Sequence, residues 1–150
     1  MDRQGYFNRI WQWFVTERHW PGVSQQGHCV YYDSSTGNRC SIGVLLTERT
    51  ASVLPAGSID QLMGMDRIAQ NLRHILGIET RADQEFLLGL QDAHDAATGE
   101  PGFHEYFRAH MILLARIWNL TVPEEAAAAV LVHRPEPECE AEEEPELVGV

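Results

Sequence analysis

The sequence predicts a mainly helical α+β domain: about four to five helices, one β-hairpin at 29–42, and a disordered acidic C-terminal tail. Three patterns predict it. Apolar residues recur at three- and four-residue spacing along several stretches, the signature of amphipathic helices. One segment has β-prone residues on both sides of a turn cluster. Beyond Pro123 the composition shifts to glutamate, proline and alanine. With 150 residues, 44% of them hydrophobic, the chain suits one core-forming domain at 1–123, followed by the tail at 124–150.

The first helix is expected over 3–18, where Phe7, Ile10, Trp11, Phe14 and Val15 form one apolar face, before Trp20-Pro21-Gly22 breaks the pattern. The hairpin is expected next. Val30-Tyr31-Tyr32 is β-prone, residues 33–38 (DSSTGN) form the turn, and Arg39 to Ile42 return. A lone hairpin is marginal in water, so it must pack on helices. A short helix follows over 43–48. Residues 59–76 form a further helix, with Gly77 as its stop and Gly64 as a weak point within it. The next helix spans 82–97 and places Phe86, Leu87, Leu90, His94 and Ala97 on one face. Pro101 is expected to open the last main helix, which runs to Asn119. An Ala-rich stretch at 126–129 could add a turn or two before the glutamates and prolines of the tail, whose composition opposes folding.

Charge narrows the function. The net charge is −11, and nine glutamates against one arginine place most of it at 124–150. The remainder is only mildly acidic. Neither part carries a basic stripe that could neutralise phosphates, so no nucleic-acid partner is expected. All 11 basic residues are arginine, as the codons of a GC-rich genome favour. The longest apolar runs fall far short of the roughly 18 residues of a membrane span. The N-terminus reads as lacking a signal peptide, so a cytoplasmic location, in a bacterial host cell, is expected. Three cysteines in a reducing compartment read as thiols or metal ligands rather than as a disulfide framework. No Gly-rich phosphate loop, G-x-S-x-G elbow or H-E-x-x-H helix is present.

Two segments stand out: residues 27–32 with 37–45 (GHCVYY, then GNRCSIGVL), and residues 90–95 (LQDAHD). Together they resemble a group of small uncharacterised proteins encoded by bacteriophages, prophages and some bacteria. That group carries a C-x-Y, G-x-[KR]-C-[AS]-[IV]-G-x-L hairpin and an L-Q-x-A-H-D helix. Cys29, Tyr31, Gly37, Arg39, Cys40, Ile42, Gly43 and Leu45 match the first motif. Leu90, Gln91, Ala93, His94 and Asp95 match the second. The resemblance covers about 5–123. It departs at Tyr32, where the group more often has arginine, and at Thr47, where Pro-Asp-Glu is frequent. It implies a phage or prophage origin and a shared fold, and no established activity.

The candidate site residues come from these segments. His28, Cys29, Cys40, His94 and Asp95 are the donors that could hold a metal, and zinc suits such a set, although ten residues separate the cysteines, too many for a tight knuckle. The same thiols with His94 could form a nucleophile and base, oriented by Gln91 three residues before the histidine, or by Asp95, which is expected to point away from the His94 face. Set against both chemistries, free cysteine is among the most buried residue types, and a histidine on an apolar face commonly ties core elements together. Trp13, Trp20 and Tyr32 are the candidates for partner contacts.

These observations support a phage or prophage accessory protein that binds a host or phage protein, for instance to modulate host defence or takeover. No cofactor is required by any motif. The alternatives are a small Cys/His-dependent enzyme and a zinc-stapled binding module.

Overall fold

The computed structural model describes residues 1–124. The acidic tail and the Ala-rich turns expected at 126–129 lie outside the described residues. Seven α-helices occur among the described residues: α1 (Arg3–Trp11), α2 (Ser41–Val44), α3 (Glu48–Val53), α4 (Ile59–Met63), α5 (Asp66–Leu76), α6 (Arg81–Thr98) and α7 (Phe103–Trp118).

Helices α6 and α7 form the centre. Only four residues join them, so α7 runs back along α6. Phe86, Leu87, Leu90 and Ala97 of α6 are fully buried, as are Phe107 and Met111 of α7. Gly89 allows close approach here, since a Cβ at that position would press on Leu114. Helix α1 buries Phe7, Ile10 and Trp11 in the same core, and its end is a π-helical turn over Gln12–Thr16 that packs against α7. The wider turn keeps Phe14 on the buried side, in contact with the rings of Phe103 and Phe107.

Local sequence explains most helix starts. Asp2 accepts the Gly5 N–H at the start of α1, and Thr47 caps α3. Ser58 with Gln61, and Thr80 with Asp83, form reciprocal capping boxes on α4 and α6. Gly77 ends α5 in the left-handed region, as its position predicts. The helix expected over 59–76 is two helices, α4 and α5, broken at Gly64 and Met65. Pro101 does not open the last helix. Gly102 is its N-cap, in a left-handed conformation, and Phe103 is its first residue.

The expected β-hairpin at 29–42 is not formed, and the α+β class is corrected to a helical one: among the described residues there is no β-strand, only isolated bridges from Pro21 to Arg39 and from Val23 to Cys29. The turn itself forms, with the Asp33 carbonyl accepting the Gly37 N–H at 2.7 Å and the Asp33 N–H donating to the Asn38 carbonyl. Two features stop a ladder from growing. Cys40 is the N-cap of α2, so the returning arm turns helical at Ser41. Gly22 also takes up backbone groups of both arms: its N–H donates to the Arg39 carbonyl and its carbonyl accepts the Val30 N–H, while the Cys40 N–H still donates to the Val30 carbonyl. A side chain at Gly22 would collide with the backbone of Val30, Arg39 and Cys40. Three irregular segments thus satisfy one another's backbone groups in place of two paired strands.

Candidate functional site

The two motif segments, some fifty residues apart in sequence, meet where the 29–31 segment crosses α6. Gln91 ties them together. Its Oε1 accepts the buried Ile59 N–H at 2.7 Å, at the first residue of α4. Its Nε2 donates to the Tyr31 hydroxyl at 3.2 Å and to the Gly57 carbonyl at 3.3 Å, and it lies 3.9 Å from the Cys29 sulfur. The Tyr31 hydroxyl in turn donates to the Gly57 carbonyl. Burial, the nearby thiols and Asp95 raise the Tyr31 phenol, outweighing the Gln91 hydrogen bond, so it stays protonated. A buried amide with both ends satisfied fixes the register of the 29–31 segment, the 57–59 loop and α6.

One helical turn further along, His94 is fully buried on α6 against the rings of Phe14 and Phe103. Its Nδ1 lies 2.9 Å from Asp95 Oδ1. Asp95 therefore does not point away, as its adjacency suggests, but curls back onto the ring from the solvent side, and Gln91 is not the group that orients His94. The other ring nitrogen, Nε2, is buried and has no hydrogen-bond partner among the described residues. Burial opposes the charged ring, but the Asp95 hydrogen bond and the nearby Cys29 sulfur outweigh it and raise the His94 pKa.

Cys29 Sγ, a ring nitrogen of His94 and a carboxylate oxygen of Asp95 all lie within 4.8 Å of one another. Cys29 and Asp95 also line a cleft of about 550 Å³, together with His28, Gly57, Ser58, Gln61 and Thr98. The Cys29 thiol is pushed well above its usual range, first by the neighbouring Cys40 thiol and then by burial, with His94 only partly opposing. An activated nucleophile needs the opposite shift. Cys40 is buried, and its sulfur accepts the Gly43 N–H at 3.5 Å as the cap of α2. It is outside the group of three. His28 is exposed on the cleft wall and also outside that group.

The three aromatic candidates separate. Trp20 is 63% exposed, beside the His104 ring. Trp13 is half-buried, stacked on His19 at 3.7 Å, and Tyr32 is half-buried beneath the Arg39 guanidinium. Arg39 donates to the carbonyls of Gly43 and Leu46, so this motif arginine anchors the α2 end. Sequence reasoning missed His104. It is buried, and its Nε2 meets the carbonyls of Arg18 and His19, holding the chain where it leaves the first helix with Arg18 in a left-handed conformation. An isolated histidine one residue into a helix gives no periodic signal of such a long-range contact.

Elsewhere, Val53 and Ile75 stand exposed on either side of a groove between α3 and α5 that Leu54, Ile68 and Leu72 also line. Among the described residues no helix is long and apolar enough to cross a membrane. Compared with protein-family models, curated proteins and solved structures, the chain matches none of them.

Proposed function

We propose that this chain is a phage or prophage accessory protein that works in the bacterial cytoplasm by binding a host or phage protein at the cleft beside Cys29 and Asp95. The observation that carries the reading is convergence. The phage-type motif segments supply the cleft residues Cys29 and Asp95, and Gln91 and Tyr31 hold the floor in place. The wall is rich in hydrogen-bonding groups, His28, Ser58, Gln61 and Thr98, which suits a polar peptide segment better than an apolar one. A thiol enzyme has less support. The Cys29 thiol is raised rather than lowered, although its neighbourhood to His94 and Asp95 supplies the residue types.

A photo-crosslinking side chain placed at Thr98 on the cleft, and separately at exposed Gln70 on α5, tests the reading in a bacterial host that carries the protein. A discrete cross-linked protein from Thr98 and none from Gln70 is expected. No adduct from Thr98, or the same adducts from both positions, would refute the cleft as the binding surface.

A further inference from the structure

The cleft floor also holds a donor set that partner binding does not explain. Cys29, His94 and Asp95 offer sulfur, imidazole nitrogen and carboxylate oxygen within 4.8 Å of one another. Donors about 2.0–2.3 Å from one tetrahedral zinc lie some 3–4 Å apart, so the three would close by about 1 Å around a shared ion. His94 is fully buried and its Nδ1 lies 2.9 Å from Asp95 Oδ1, so a ring nitrogen and a carboxylate oxygen already face each other at the inner end of the cleft.

We infer that Cys29, His94 and Asp95 form a binding site for a single zinc ion at the floor of the cleft. The donor chemistry selects this class of metal. Thiolate and imidazole favour zinc over magnesium or calcium, which take oxygen ligands. Access is open, since Cys29 and Asp95 both line the cleft and Asp95 is 46% exposed at its side chain. Gln91 is the supporting group: its Nε2 lies 3.9 Å from the Cys29 sulfur, on the side where an amide hydrogen stabilises a thiolate. Zinc takes the place of the Cys29 thiol proton, which passes to solvent. Cys40 is not a ligand, because its sulfur is held by the Gly43 N–H and lies outside the group of three. Three protein donors would leave one position of a tetrahedral ion free, next to a cleft that Cys29 and Asp95 line. The site is therefore of the open kind, completed by water or by a donor from whatever enters, rather than a closed structural staple.

The test uses the full chain, freed of metal and titrated with zinc and, separately, with cobalt(II), whose thiolate charge-transfer absorption reports a bound sulfur. One ion per chain is expected, with the absorption present in the parent and in Cys40→Ala and absent in Cys29→Ser. Asp95→Asn, at an exposed position, should fold normally and bind at least about tenfold more weakly. Circular dichroism of each variant separates lost ligation from lost folding. No binding of either metal at micromolar concentration, an absorption that survives in Cys29→Ser, or one lost in a folded Cys40→Ala while Cys29→Ser retains it, overturns the inference.

Discussion

Replacing Gln91 by leucine tests whether one buried amide sets the register of the whole site. Leucine keeps the volume, so packing loss is small. The hydrogen bonds are lost. The Ile59 N–H, on a fully buried residue, loses its acceptor, Oε1 at 2.7 Å. An orphaned buried donor costs about 1–3 kcal/mol. The Tyr31 hydroxyl still donates to the Gly57 carbonyl at 2.9 Å, so the loss on that side is only the weaker donor contacts, together about 1 kcal/mol. The expected destabilisation is about 2–4 kcal/mol. Gln91→Glu is the control. It keeps the acceptor for Ile59, and in its protonated form it can still donate. Burial raises a carboxyl's folded pKa above its unfolded value of about 4.3. Gln91→Glu should therefore be close to the parent below that pH, and lose stability as pH rises through the folded value. Urea unfolding followed by the fluorescence of the four tryptophans reads both variants. A Gln91→Leu variant within 0.5 kcal/mol of the parent would show that the amide is incidental, by the threshold at which surface changes are ordinarily neutral.

Two further perturbations address the frame around the site. Asp83 accepts the N–H groups of Glu79 and Thr80 and pairs with Arg3 at 3.0 Å. The Glu79 N–H first, then the Arg3 and Thr80 bonds, hold its carboxyl down at about 2 against the opposing effect of burial. Because the folded pKa lies below the unfolded one, this stabilisation is present above about pH 4 and is lost as pH falls toward 2. The shift corresponds to about 2.5 kcal/mol at most. The side chain is only 8% exposed, but it caps a helix at the edge of the molecule and Arg3 is 34% exposed, so solvent screening reduces the expected loss in Asp83→Asn to about 1–2 kcal/mol at pH 7. The difference from the parent should vanish near pH 2 in acid titrations of stability, and a constant difference from pH 7 down to 2 would contradict the assignment. Gly43→Ala would drive a Cβ into the Tyr31 carbonyl and displace backbone, so a loss of about 3 kcal/mol, or roughly 10 °C in Tm, is expected by thermal melting. Gly99→Ala meets nothing within 4 Å and should leave Tm nearly unchanged, so equal effects at the two glycines would rule out the close-approach argument.

Much of the helical framework was legible because helix formation rests on local patterns. The faces of α1, α6 and α7 follow from apolar spacing, and Gly77 follows from its backbone freedom. The 29–42 segment misled for a related reason. Val30-Tyr31-Tyr32 and the turn after it do favour a hairpin locally, but strand pairing is a contest among distant backbone groups, and Gly22 and the α2 cap at Cys40 won it. Sequence alone singled out His28, Cys29, Cys40, Gln91, His94 and Asp95 as chemistry-bearing. It could not say which of them meet. Adjacency argued that Asp95 leaves the His94 face, yet its carboxylate returns to Nδ1, and Gln91 serves the 57–59 loop and Tyr31 instead. Spacing along the chain determines which face of a helix a residue occupies. Which groups share a cleft, and which thiol joins the histidine, depends on where α6 and the irregular 22–40 segment pack against each other, and only the tertiary structure decides that.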